Sequence, residues 1–336
     1  MDLDAYVAAH AGAWRRLAEL TRRAARPRRL TGAEVDELVE LYQRSATHLS
    51  VVRSSAPDAA LVARLSTLVA RARAAVTGAS PTGRAAVTRF AVVTFPAAVY
   101  SGWRWSLGTA CGFLAVAAAL GVWVAGSADV QASIAAPREI RRLVEHDFAD
   151  YYSAHPAAAF AAQVWTNNAW VTAGVLCLGI LLGLPTLWIL WQNAANVGLV
   201  AGLMAAHGKL DVFLGLITPH GLLELTAVFV AAGTGLRLGW TVVDPGPRTR
   251  AEAVGAAGRA AVTVALGLVA VLLVSGAIEG FVTPSPLPTA ARVLVGVTAQ
   301  AGFLVYVAVL GRRAVAAGDT GDLPAELRGD ALPAAG

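Results

Sequence analysis

Residues 212–239 read VFLGLITPHGLLELTAVFVAAGTGLRLG, and they decide what kind of molecule this is. Between Val212 and Leu236 the only acid or strong base is Glu224, in a run of Leu, Val, Phe, Ala and Gly. A run this long exceeds the roughly 20 apolar residues needed to cross a hydrocarbon core. Thr218 is a good N-cap, and proline is favoured at the first helical position. The stretch therefore divides into a short half-helix over 210–217 and a full span from Pro219 onward. His220 stands four residues before Glu224, so the two share a helix face. Polar groups are costly in lipid and turn towards a bundle interior or a cavity. At low dielectric the pair can share a proton or make one hydrogen bond, and either lowers the cost of burying the carboxyl. Two readings of the pair stay open. One is a proton relay, a gate or a partner-docking hot spot; the other is an interhelical hydrogen bond that locks the bundle. Ala231, Ala232, Gly233, Gly235 and Gly239 let backbones approach closely and predict a packing seam. Arg237 closes the span where it can reach the headgroups.

The rest of the chain fits the same reading. Of 336 residues, 56% are apolar and 15% charged, and a soluble domain carries nearer a quarter charged. The mean hydropathy is +0.58. A wholly soluble enzyme, a collagen-like chain and a disordered chain are excluded. Residues 105–128, 151–208, 260–278 and 293–311 contain no Asp, Glu, Lys or Arg. The predicted spans are 106–125, 169–184, 187–206, 212–239, 261–281 and 292–311, within a transmembrane bundle over 105–312. With the N-terminus in the cytoplasm, the inner segments hold 22 basic residues and the outer ones 5. The bias places both termini inside a multi-pass plasma-membrane protein. Asn193 and Asn196 lie three apart on one face of the third span, suited either to helix–helix packing or to lining a polar cavity beside Glu224. Glu279 ends the fifth span and is expected near the outer interface.

Residues 1–79 predict three amphipathic helices forming a cytoplasmic bundle, with stripes through Trp14, Leu17 and Leu20, through Val35, Leu38, Tyr42, Leu49 and Val52, and through Leu61, Leu65, Leu68, Ala72 and Val76. Breaks fall at Arg26-Pro27 and Ser55-Ala56-Pro57-Asp58, and Thr31 with Glu34 fits a capping box. Residues 80–104 predict an interfacial amphipathic helix bent at Pro96, with Arg84, Arg89, Trp103, Arg104 and Trp105 against the membrane surface. Residues 313–336 read as a disordered cytoplasmic tail. The fold class is all-α: a polytopic membrane helix bundle carrying an N-terminal cytoplasmic helical bundle.

Little points to chemistry. Cys111 and Cys177 sit in apolar stretches without a CxxC, so neither a disulfide framework nor a zinc site is expected. His220 and Glu224 alone give two ligands where a metal needs at least three, and His10, His48, His146, His155 and His207 form no ligand pattern. Neither a nucleophile elbow nor a P-loop is present. The expectation is no catalytic residue, no cofactor and no metal. The basic residues are interleaved with acids and accompany no nucleic-acid motif, so the expected partners are the bilayer and other membrane or envelope proteins, including a second copy of the chain.

Pro219-His220-Gly221 with Glu224, followed by the small-residue run and Gly235-Leu236-Arg237, resembles the hallmark of the stage II sporulation protein M family. Asn193, Asn196 and Gly198 upstream and Glu279 with Thr283-Pro284 downstream are similar pieces. Trp14, Tyr42-Gln43-Arg44 and Phe95-Pro96 resemble longer actinobacterial-type members. The resemblance implies a non-enzymatic multispan protein. The namesake anchors peptidoglycan-remodelling partners at the septum during engulfment. It implies no catalytic residues. The chain differs from the namesake in its soluble front and sixth span. The functional expectation is a membrane scaffold for envelope-remodelling partners. The alternative is a secondary transporter or permease-like protein using His220 and Glu224 in a polar cavity.

Overall fold

The computed structural model describes residues 3–24, 30–55, 58–76, 83–152 and 157–322. The chain divides into two compact units, one within Met1–Thr88 and one within Arg89–Pro324. All the regular structure among the described residues is helical.

The first unit contains α1 (Leu3–Ala24), α2 (Gly32–Ser55) and α3 (Ala59–Val76). Their apolar stripes meet in two clusters. Leu17, Leu20, Leu38, Leu41 and Ala72 form one, and Trp14, Leu49, Val52 and Leu65 the other. Val35, assigned to the stripe of α2, is exposed, and Leu41 takes the inward place. The capping box forms: Thr31 Oγ1 accepts from the Glu34 N–H at 3.3 Å, and Glu34 Oε2 accepts from the Thr31 N–H at 2.8 Å. The break at Arg26-Pro27 and the middle of the second lie outside the described residues; α2 ends at Ser55, and Asp58 Oδ1 accepts from the Leu61 N–H at 2.7 Å before α3.

Part of the segment expected to lie on the membrane surface packs into the second unit. α4 (Gly83–Arg89) leads through a π-turn, Phe90–Thr94, into α5 (Phe95–Ser101). The π-turn precedes Pro96, whose missing N–H removes a regular helical bond. Phe95, Pro96, Ala97, Ala98 and Val99 are buried in the second unit rather than spread at an interface. A side chain at Gly267 would collide with the Phe95 ring, so the glycine is what admits it. Trp103, Arg104 and Trp105 form the first turn of α6 (Trp103–Gly126) and belong to the span itself.

Beyond α6, the helices α7 (Ala128–Ile134), α8 (Pro137–Arg142) and α9 (Phe148–Asp150) fold over one end of the bundle. Ile140 and Val144 pack there with Val124, Leu203, Met204 and Phe213. α10 (Ala157–Cys177) follows, then α11 (Leu184–Ala206), α12 (Leu210–Val243), α13 (Arg250–Ala277), α14 (Thr289–Tyr306) and α15 (Arg312–Ala316). Five helical stretches are long and apolar enough to cross a membrane among the described residues: Trp103–Gly126, Leu184–Ala206, Leu210–Val243, Arg250–Val282 and Thr289–Ala316. The predicted span 169–184 is not one helix. α10 begins twelve residues earlier, and the chain then turns through Leu178–Ile180 with left-handed Leu182 and Gly183. Gln163, Asn167 and Asn168 dilute the apolar character of α10.

α12 is the axis of the second unit and touches α6, α10, α11, α13 and α14. It runs unbroken for 34 residues, so the half-helix expected before Pro219 is not separate. Proline costs this helix one bond, to the Gly215 carbonyl, and the helix continues past it with α6, α10, α11, α13 and α14 packed against it. The small-residue seam is real. A Cβ at Gly235 would come within 2.4 Å of the Val175 carbonyl oxygen, and one at Gly239 within 2.3 Å of that of Gly179. Residues 313–322 are not a loose tail: Asp322 accepts from Arg259 Nε at 2.6 Å, and Asp319 pairs with Arg89. The rest of the expected tail lies outside the described residues.

Candidate functional site

The polar residues of α12 do not stand alone. Where α13 ends, a π-turn over Ile278–Val282 widens the backbone, with the Thr283 N–H bonding five residues back to Ile278 at 3.0 Å. Turns of this kind recur at functional positions. This one carries Glu279 and Thr283 inward against α12. Glu279 is 5% exposed and Thr283 fully buried. His220 Nε2 lies 3.7 Å from Glu279 Oε1. One ring nitrogen of His220 and one carboxylate oxygen each from Glu224 and Glu279 all fall within 4.8 Å of one another.

The His220 ring is positioned from several sides. Its Nδ1 is 3.2 Å from Thr283 Oγ1, and its own carbonyl accepts from Ser275 Oγ at 3.1 Å. The Tyr152 ring, at the end of the α7–α9 cap, lies 5.8 Å away centroid to centroid. Burial raises the Tyr152 phenol above its ordinary pKa, and Glu279 adds to the shift. Glu224 is half-buried on α12. Glu224 Oε2 and Glu279 Oε2 are both covered and have no hydrogen-bond partner. Arg292, at the start of α14, donates to the Thr283 carbonyl and to Thr289 Oγ1.

Pro219 and Gly221 serve the site through the backbone. The Pro219 carbonyl closes on α14, where a Cβ at Gly296 would stand 2.3 Å from its oxygen. Gly221 is buried.

The other expected residues lie elsewhere. Asn193 donates to the Ile189 carbonyl of its own helix at 2.8 Å, and Asn196 is exposed, so neither lines a cavity with Glu224. Arg237 bonds Ser101 Oγ at 3.2 Å at the α5–α6 junction. Arg84, Arg89, Trp103 and Arg104 are exposed, and Trp105 is partly buried. Trp105 and Arg104 line a cleft of about 780 Å³ with Phe113 and Trp191, which does not include the His220 cluster.

Glu279, expected near the outer interface, is buried beside His220. Tyr152, Ser275 and Arg292 were not selected from the sequence. The available signal was Glu279 with Thr283, an acid and a hydroxyl closing a span four residues apart.

Residues 110–284 match the family described as stage II sporulation protein M, which is more than half of the chain. The chain belongs to the stage II sporulation protein M family. All three clustered residues fall inside the matched range, as does Thr283. Residues 4–78 match a second family, described as a domain of unknown function (DUF8413). Its limits coincide closely with α1–α3. No curated protein and no solved structure matches the chain.

Proposed function

We propose that this family member is a non-enzymatic multi-pass plasma-membrane protein that anchors envelope- or peptidoglycan-remodelling partners. The family match over 110–284 is the observation that carries this reading. The separate three-helix front supplies a second surface for partners. Both termini are assigned to the cytoplasm, on the 22 to 5 partition of basic residues.

An even number of crossings needs α10 as the sixth. Its 21 residues rise about 31 Å, enough for the hydrocarbon core. Its start packs near the α11–α12 turn, with Phe160 against Leu216 and Tyr152. Its far end reaches Gly235, and the following Gly179 reaches Gly239. The helix thus runs alongside α12 from one end of the bundle to the other.

Single cysteines at exposed Ala136 and Ala317, in a chain lacking Cys111 and Cys177, test the orientation. An impermeant thiol reagent on intact cells is expected to label position 136 and spare position 317. Labelling at 317 contradicts the assignment. For the anchoring role, crosslinking in native membranes followed by affinity capture is expected to recover envelope-remodelling proteins. Capture of none, while the chain itself is recovered intact, counts against it.

A second reading, a secondary transporter or permease-like protein, draws on the buried His220–Glu224–Glu279 cluster. It expects Glu224→Gln to abolish complementation of a deletion strain in a protein that still folds. The anchoring reading expects complementation to survive.

A further inference from the structure

We propose that His220, Glu224 and Glu279 form a binding site for one divalent transition-metal ion of the zinc class, near the end of the bundle that holds the α11–α12 turn. The inference is independent of the anchoring role, and either can fail alone.

The hydrogen bonding fixes what the site lacks. Thr283 Oγ1 has its own acceptor, the Ile278 carbonyl at 3.4 Å, so its lone pairs face His220 Nδ1. The imidazole therefore donates from Nδ1 and presents the Nε2 lone pair to the carboxylates. A lone pair 3.7 Å from Glu279 Oε1 is repulsive unless a positive centre stands between them. Glu279, 5% exposed, also has an unpartnered Oε2, and the covered Oε2 of Glu224 is unpartnered too. Three electron-pair donors from two helices thus converge with no donor among them.

A divalent ion satisfies this arrangement in charge and in geometry. Two carboxylates and a neutral imidazole cancel its charge, so the loaded cluster is neutral at low dielectric. Zinc takes imidazole nitrogen and carboxylate oxygen at about 2.0–2.2 Å, which sets tetrahedral donors about 3.3 Å apart. Donor atoms already within 4.8 Å of one another reach that spacing by small side-chain movements. One nitrogen and two oxygens, with no thiolate, suit zinc, manganese, iron(II) or cobalt rather than copper(I). Thr283 has the place of an outer partner that orients a ligating histidine through its other ring nitrogen. Three protein donors leave a fourth position for water or an outside group. Protons on the carboxyls are the competing way to relieve the same repulsion, and the experiment separates the two.

The full chain, purified in detergent, is stripped with chelator, desalted, and incubated with zinc or cobalt(II); bound metal is then measured after a second desalting. The expected result is about one ion per chain, with cobalt giving the visible absorption of a four-coordinate site. Glu279→Gln and His220→Ala are expected to reduce uptake below a tenth. Thr283→Val is expected to weaken binding about 10- to 100-fold while leaving the stoichiometry at saturation. Far-ultraviolet circular dichroism and monodispersity check that each variant is folded. Wild-type protein that takes up no metal overturns the site and leaves protons as its occupants. Uptake that persists in folded Glu224→Gln/Glu279→Gln protein overturns the ligand assignment. Should the variants not fold, the wild-type stoichiometry and cobalt spectrum decide alone.

Discussion

The front unit and the membrane unit are both helical, yet their insides and outsides are exchanged. In α1–α3 the large apolar side chains, such as Leu17, Leu20 and Leu65, are almost wholly buried, and Arg16, Glu19 and Glu37 pair on the surface. In the membrane unit Trp170 is 76% exposed and Val122 75%, while His220, Glu279, Thr283 and Ser275 are inside. Water drives the first arrangement by excluding apolar surface. Lipid tails are as apolar as leucine, so the second relies on close backbone packing and on interior polar groups. In the front unit burial marks the core. In the membrane unit it also takes in polar groups, His220, Ser275, Glu279 and Thr283, beside the apolar core.

The largest contrast is expected from glycine. Gly235→Leu forces a side chain into the α10 backbone, where even a Cβ stands 2.4 Å from Val175 O. The cost is expected to exceed the roughly 1–3 kcal/mol of ordinary overpacking, and the protein should fail to be recovered folded from detergent. Gly12→Ala on α1 meets nothing within 4 Å and is expected to stabilise the front by about 1 kcal/mol. Recovery on size exclusion and hydrogen exchange read the two effects. Folded, monodisperse Gly235→Leu protein breaks the contrast.

Leucine sharpens it further. Leu17 is 0% exposed, and Leu17→Ala is expected to cost about 2–5 kcal/mol, seen as faster hydrogen exchange in α1 and α2. Leu107 is 53% exposed on the outer face of α6, and Leu107→Ala is expected to stay within about 0.5 kcal/mol in detergent. Equal costs would mean that Leu107 faces a partner rather than lipid.

Acid should distinguish the units next. Glu34 is held below the usual carboxylate range by the Thr31 N–H and then Arg23, and Glu37 by Arg16. His48 is lowered from 6.5 by burial and then by neighbouring His10. All three bind protons more readily in the unfolded chain, so the stability they contribute is present above their unfolded values and lost as pH falls. Protection in α1–α3, after division by the intrinsic exchange rate at each pH, is expected to be flat above about pH 7, to fall below about 6.5 through His48, and to fall again below about 4.5 through the glutamates. A front unit equally protected at pH 4 and pH 7 contradicts this.

The same exchange of inside and outside explains what could be read from the sequence. Uncharged blocks and helical stripes are local, and the spans of α6, α11, α12, α13 and α14 followed from them. Only the second half of α10 was predicted, within 169–184, because Gln163, Asn167 and Asn168 interrupt its apolar run. Residues 95–99 looked interfacial because aromatics beside arginine commonly are, and nothing local reveals the Gly267 opening that admits Phe95. Pro219 looked like a helix start because the surroundings that carry a helix through it lie on other elements. Glu279 looked peripheral for a related reason: a π-turn shifts its register, so counting along α13 does not place it beside His220, 59 residues away in sequence. His220 and Glu224 were legible because one helix turn joins them.

The polar centre built from α12 and the end of α13 is expected to act as one unit inside the membrane bundle. A double-mutant cycle of His220→Ala and Glu279→Gln, read as unfolding free energy in detergent, tests it most directly. The double mutant is expected to depart from the sum of the single mutants by about 1–3 kcal/mol, because either change alone strands its partner in the interior. Additivity within about 0.5 kcal/mol would show that the two residues are merely neighbours, and would contradict the account.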